Sequence, residues 1–146
     1  PSAAYDMDAA AKCLAVDRST ASAFHAMRVV EFGVRCMAKC LGIPDPIRQD
    51  KKAWGEVQKT IRTEMDKRWS TNAAKADGDG AFFQVTYLSL DAMRNTWRNP
   101  TMHLERTYTA LEAEDLLRAA AAFMGGLAER MDEMGKPYAT CGANTR

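Results

Sequence analysis

Histidine is nearly missing from this chain, with two in 146 residues, so any imidazole chemistry rests on His25 or His103. Cysteine is sparse as well. Cys13, Cys36, Cys40 and Cys141 include no Cys-x-x-Cys pair, and no histidine pair stands beside them to complete a zinc set. Cys36 and Cys40, four apart on one helix face, would be half of a metal site, but thiols in such places are ordinarily small hydrophobes, and no metal and no cofactor are expected. No apolar run approaches the roughly 20 residues of a membrane span, and no signal peptide is visible. A reducing cytoplasm and no membrane partner are the expectation. Long valine, isoleucine or threonine runs are also absent, while alanine, methionine and leucine are plentiful, which favours helix over sheet. A net charge of +1 excludes a global field for polyanions, so any such site must arise from local clustering of the 20 lysines and arginines.

What is present points to one all-α domain across residues 1–146, an antiparallel up-and-down bundle of four to five helices around one core. The chain begins at Pro1 without methionine, which suggests a piece of a longer polypeptide. Charge is segregated along it. From Arg18 to Lys39 four basic residues face one acid, Glu31, whereas Glu112 to Glu133 holds six acids against Arg118 and Arg130.

The first helix is expected from Asp6 to about Val16, with Asp17 as N-cap of the next. The second, Arg18 to Leu41, repeats Phe24, Met27, Glu31, Val34, Ala38 and Leu41 at spacings of three and four, an inward stripe closed by Gly42 ahead of Pro44 and Pro46. Glu31 is the odd member: a carboxylate on an apolar seam must meet a cation, for which Arg98 is the candidate, or lie at the solvated edge. Beside this stripe His25, Arg28, Phe32, Arg35 and Lys39 form a basic ridge, readable as a solvated face or as a phosphate-contacting one. Trp54 to about Trp69 reads as a third helix, with Val57, Ile61 and Met65 inward. Asn72 to Gly80 reads as a mobile loop, without the twelfth-position glutamate of an EF-hand. A fourth helix follows from about Ala81 to Trp97, with Phe83, Tyr87, Leu90 and Trp97 buried. The last begins at the capping box Thr109-Ala110-Leu111-Glu112 and runs to about Met134, leaving 135–146 as a flexible tail.

Chemistry concentrates between the last two long helices, in Trp97-Arg98-Asn99-Pro100-Thr101-Met102-His103. Here a permanently charged guanidinium stands near a group that exchanges a proton near neutrality. On an unbroken helix Arg98 and His103 would differ by about 140° and face apart. Pro100 removes that constraint, since it lacks an amide donor and disfavours helical geometry at Asn99. Arg94 and Arg106 add positive charge on either side, with Glu105 as the nearby acid.

These residues resemble the signature of the HEPN domains, small helical bundles of prokaryotic toxins, defence systems and some eukaryotic ribonucleases. That signature is an arginine, a polar residue such as asparagine, and a histidine after a gap of four to six; Arg98, Asn99 and His103 match it with a gap of four. The segment Phe24-His25-Ala26-Met27-Arg28-Val29-Val30-Glu31 also looks like a bacterial branch of the family, and the likeness spans roughly residues 6 to 134. It implies a HEPN-like bundle and a metal-independent endoribonuclease whose two protomers line one cleft. His103 would serve as general base on a ribose 2′-hydroxyl or as general acid on the leaving 5′-oxygen, and Arg98 would neutralise the growing phosphorane charge. Asn99 and Glu31 would support them, with Arg94, Arg106, Arg28 and His25 contacting RNA. Implied partners are RNA, a second copy, and an antitoxin or upstream domain; toxin and phage-defence roles follow. The alternative is a non-catalytic HEPN module that dimerises or binds a nucleotide or a partner. Leu104 stands where some relatives carry a modifiable tyrosine.

Overall fold

The computed structural model describes residues 2–44, 54–93 and 107–138. Among them the protein is all-α, with six helices and no strand: α1 (Ala3–Ala15), α2 (Ser19–Cys40), α3 (Trp54–Arg68), α4 (Asn72–Ala76), α5 (Gly78–Met93) and α6 (Ala110–Ala128). None of these is long and apolar enough to cross a membrane. The chain divides into two compact units, one of residues 1–33 and 92–125, the other of 34–91 and 126–146.

In the first unit α1 starts at Ala3, earlier than expected, because the Ser2 hydroxyl accepts the Tyr5 amide at 3.3 Å. Asp17 does not cap α2. It adopts φ 56° as the left-handed residue that ends α1, where the Arg18 amide reaches the Cys13 carbonyl at 2.8 Å and its own amide the Leu14 carbonyl at 3.2 Å. This double bond pattern satisfies carbonyls the helix end would otherwise orphan, and aspartate is one of the few side chains that tolerate the conformation. The α2 residues Ala23, Ala26, Met27, Val29 and Val30 are buried in this unit, as are Ala113, Leu116, Ala120 and Phe123 of α6. Phe24, expected on the inward stripe, is instead 46% exposed, because the small residues Ser22 and Ala23 just before it fill the buried face. The Thr109 capping box forms as read, its hydroxyl accepting the Glu112 amide at 3.3 Å while the Glu112 carboxylate accepts the Thr109 amide at 2.9 Å.

In the second unit α2 closes on Gly42 at φ 67°, with the Ile43 amide on the Ala38 carbonyl at 2.9 Å. Helix α3 buries Trp54, Val57, Gln58, Ile61 and Met65. The stretch expected as a mobile loop is instead α4 and the start of α5. Thr71 caps α4 by accepting the Ala74 amide at 3.1 Å, and Gly80 lets α5 abut α4 so closely that a Cβ there would lie 1.9 Å from the Ala74 carbonyl oxygen. Of the two glycines that read as loop, Gly80 is thus an approach site, while Gly78 supplies a positive φ of 52°. Trp69 stacks on Phe83 at 5.1 Å, and the Arg62 guanidinium lies 5.5 Å from the Tyr87 ring centre. Helix α6 stops at Ala128, short of the expected Met134. The Asp132 carboxylate captures the Met134 and Lys136 amides at 2.8 and 2.9 Å, competing with helical bonding. The chain then turns, pairing Met131 with Pro137. Of the expected flexible tail, Gly135 to Tyr138 belong to this turn, with the Tyr138 amide on the Arg130 carbonyl at 3.0 Å; residues 139–146 lie outside the described residues.

Candidate functional site

The motif residues Arg98, Asn99 and His103, and the flanking Arg94 and Arg106, lie outside the described residues, as does Trp97. The described chain on either side of them belongs to the first unit. Met93, which closes α5, is 3% exposed, and Tyr108 is 6% exposed with its amide donating to the Thr20 hydroxyl at 3.1 Å. The segment between them is therefore entered and left at fixed points. The capping box then aims α6 away from Thr109.

Three of the remaining site residues are placed. Glu31 is half-buried, matching its position at the edge of the apolar stripe; its proposed meeting with Arg98 falls outside the described residues. His25 and Arg28 are brought together by a residue that the sequence reading passed over. Asp6 of α1 is 5% exposed, and one of its carboxylate oxygens accepts from His25 Nδ1 at 2.9 Å and from Arg28 Nε at 2.8 Å. An ionised carboxylate only accepts, so the imidazole proton sits on Nδ1 and Nε2 is turned away from Asp6. Burial pushes the Asp6 carboxyl up, but the hydrogen bonds from His25 and Arg28 and their positive charge outweigh it and hold the group below the usual carboxylate range.

Both side chains are partly open to solvent. The Arg28 side chain is 43% exposed and that of His25 26%. The Phe24 ring meets the His25 ring edge-on, with 6.0 Å between centres. Of the rest of the basic ridge, Lys39 is exposed while Phe32 and Arg35 are half-buried. One signal for Asp6 does exist in the sequence: it precedes Ala10 by four, and these two are the buried residues of α1. A carboxylate on that inward face demands a cationic partner from another helix.

Cys36 is buried as a packing group. Cys36 Sγ donates to the Glu133 carbonyl at 3.2 Å, and burial pushes its thiol above the ordinary cysteine range, the nearby acids reinforcing this and Lys39 opposing it. Among the described residues no group of three or more histidine, cysteine, aspartate or glutamate side chains is arranged to hold a metal ion. Comparison with known proteins found no matching family model, no matching curated protein and no matching solved structure.

Proposed function

We propose that the chain is a metal-independent endoribonuclease of HEPN type, cytoplasmic and dimeric, acting as a toxin or phage-defence effector. The observation that carries this reading is the Arg98-Asn99-Pro100-Thr101-Met102-His103 sequence, supported by an all-helical fold in which the chain enters and leaves that segment at the buried Met93 and Tyr108. His103 moves the proton of the attacking 2′-hydroxyl or supplies one to the departing 5′-oxygen. Arg98, which keeps its charge through the reaction, offsets the negative charge that builds on phosphorus. Asn99 orients the segment. With one His103 per chain, two copies sharing a cleft supply separate acid and base groups, which gives dimerisation a chemical purpose. An antitoxin partner restrains the activity.

Cleavage of RNA in the presence of EDTA tests the reading. Wild-type protein leaves a 2′,3′-cyclic phosphate, and His103→Ala lowers the rate by about 100-fold or more, the usual contribution of a positioned acid–base group. Arg98→Ala costs a comparable factor, as does loss of one preorganised charge-stabilising donor, about 100-fold. Undiminished cleavage by His103→Ala overturns the proposal. A stable dimer that leaves RNA intact assigns the chain to the non-catalytic modules instead.

A further inference from the structure

We propose that Phe24 and Arg28 form a subsite for single-stranded RNA on the outer face of α2, held in place by Asp6 and His25, in which Arg28 takes a phosphodiester and Phe24 stacks on the neighbouring base. The ligand class rests on the ribonuclease reading above; the geometry of the subsite does not.

A carboxylate 5% exposed is expensive to bury, and Asp6 offsets that cost by pairing with two side chains that are themselves partly open to solvent. Arg28 meets Asp6 through Nε. A guanidinium held at Nε keeps its terminal edge, with two parallel N–H donors, for a second oxyanion such as a phosphate, on an arm that is 43% exposed. His25 meets Asp6 through Nδ1, which sets the plane of its ring, and that ring abuts Phe24 at an interplanar angle of 76°. Phe24 and Arg28 are one helical turn apart, so they share a face of α2. Phe24 is 46% exposed there. An exposed aromatic beside the His25 ring and a guanidinium tied to Asp6 lose less conformational freedom on binding than unrestrained side chains would. They are also the two groups a single strand needs, one for its charge and one for an unstacked base. The acids near them are Asp6, which already pairs with Arg28, and on α2 the half-buried Glu31, against the α2 cations Arg28, Arg35 and Lys39.

Asp6 and His25 are positioning residues here. Their removal disturbs the α1–α2 contact as well as the subsite, and Arg28→Gln loosens the same contact, so Phe24→Ala is the decisive variant and Arg28→Gln is read through the salt slope, each checked for an unchanged helical signal. Affinity for a short fluorescein-labelled oligouridylate is measured by anisotropy across a salt series, in a His103→Ala background so that the strand survives. Phe24→Ala weakens binding about fivefold or more and leaves the salt dependence alone, as expected for loss of one base stack. Arg28→Gln reduces the slope of log affinity against log salt by about 0.7, as expected for one lost phosphate contact on a single strand. Duplex RNA, whose bases are already stacked, shows no response to Phe24→Ala. If both variants bind as the parent does, the subsite is wrong even where wild-type protein cleaves RNA. If both respond as stated while wild-type protein cleaves nothing, the subsite stands and the nuclease reading falls. An equal loss on duplex and single strand removes the stacking role and overturns the proposal.

Discussion

Gly125 and Gly126 stand together in the last turns of α6, and at both positions nothing lies within 4 Å of where a Cβ would project. Neither has a positive φ, so neither needs glycine for its backbone. A glycine in a helix costs about 0.8–1.0 kcal/mol relative to alanine, because the unfolded chain loses more freedom there. The proximity of the helix end at Ala128 trims this, and Gly125→Ala with Gly126→Ala together should stabilise the fold by about 1.5 kcal/mol. Spread over 146 residues at about 2.1 cal/mol/K of unfolding entropy each, that is a rise in Tm of about 5 °C. Thermal unfolding followed by circular dichroism reads it directly. Two other glycines supply controls of opposite sign. Alanine at Gly80 would put a methyl group 1.9 Å from the Ala74 carbonyl oxygen, and at Gly135 one 2.5 Å from the Cys36 carbonyl oxygen on a backbone at φ 73°. Each should cost about 3 kcal/mol or more, as overpacking against an unyielding backbone does. A fall in Tm for the Gly125 and Gly126 pair would refute the claim that open space surrounds them.

Asp17→Gly should stabilise by about 1 kcal/mol, since it removes the left-handed penalty of a side chain at φ 56°; urea denaturation that shows a loss instead would mean the carboxylate has a role its backbone does not reveal. Asp6→Asn should cost about 2 kcal/mol near neutrality, the scale of a charge-assisted hydrogen bond, because the exposed ends of Arg28 and His25 limit the penalty of leaving them unpaired. The Asp6 carboxyl is held below its ordinary value of 3.8, so its stabilisation is complete above that pH and is lost as pH falls through the lower folded value. Denaturation curves across the acid range should therefore converge for wild type and Asp6→Asn, and curves that stay parallel would contradict the pairing. Cys36, 4% exposed and donating to a carbonyl, should alkylate more slowly than the half-buried Cys13 in native protein, and equal labelling by mass spectrometry would sink that ordering.

The helices that the sequence revealed best are those whose ends carry local chemistry. Gly42 after Leu41 and Thr109 before Glu112 each act through atoms within a few residues, so their spacing alone announces them. The segment Asn72 to Gly80 misled for the opposite reason. Two aspartates and two glycines in a row normally mean a turn. Here Asp77 and Gly78 do change the chain direction, but over so few residues that α4 and α5 nearly touch, and Gly80 serves that approach rather than flexibility. The end of α6 was hidden similarly, since the Asp132 carboxylate that ends helical bonding does so by reaching forward to Met134 and Lys136.

The candidate site divides along the same line. Arg98 and His103 are legible as a motif because the break at Pro100 is local, and His25 with Arg28 because residues three apart on a helix share a face. An aspartate such as Asp6 in the first turn of a helix has two ordinary local explanations, favourable interaction with the positive helix start and simple exposure. What decides against both lies 19 and 22 residues away, where His25 and Arg28 converge on one oxygen. No periodicity within either helix encodes that convergence; it follows only once the face bearing Asp6 and Ala10 is known to be buried. A buried carboxylate then needs cations, α2 offers two at the right spacing, and the ridge that read as a solvated face acquires a fixed point from which Phe24 and Arg28 project.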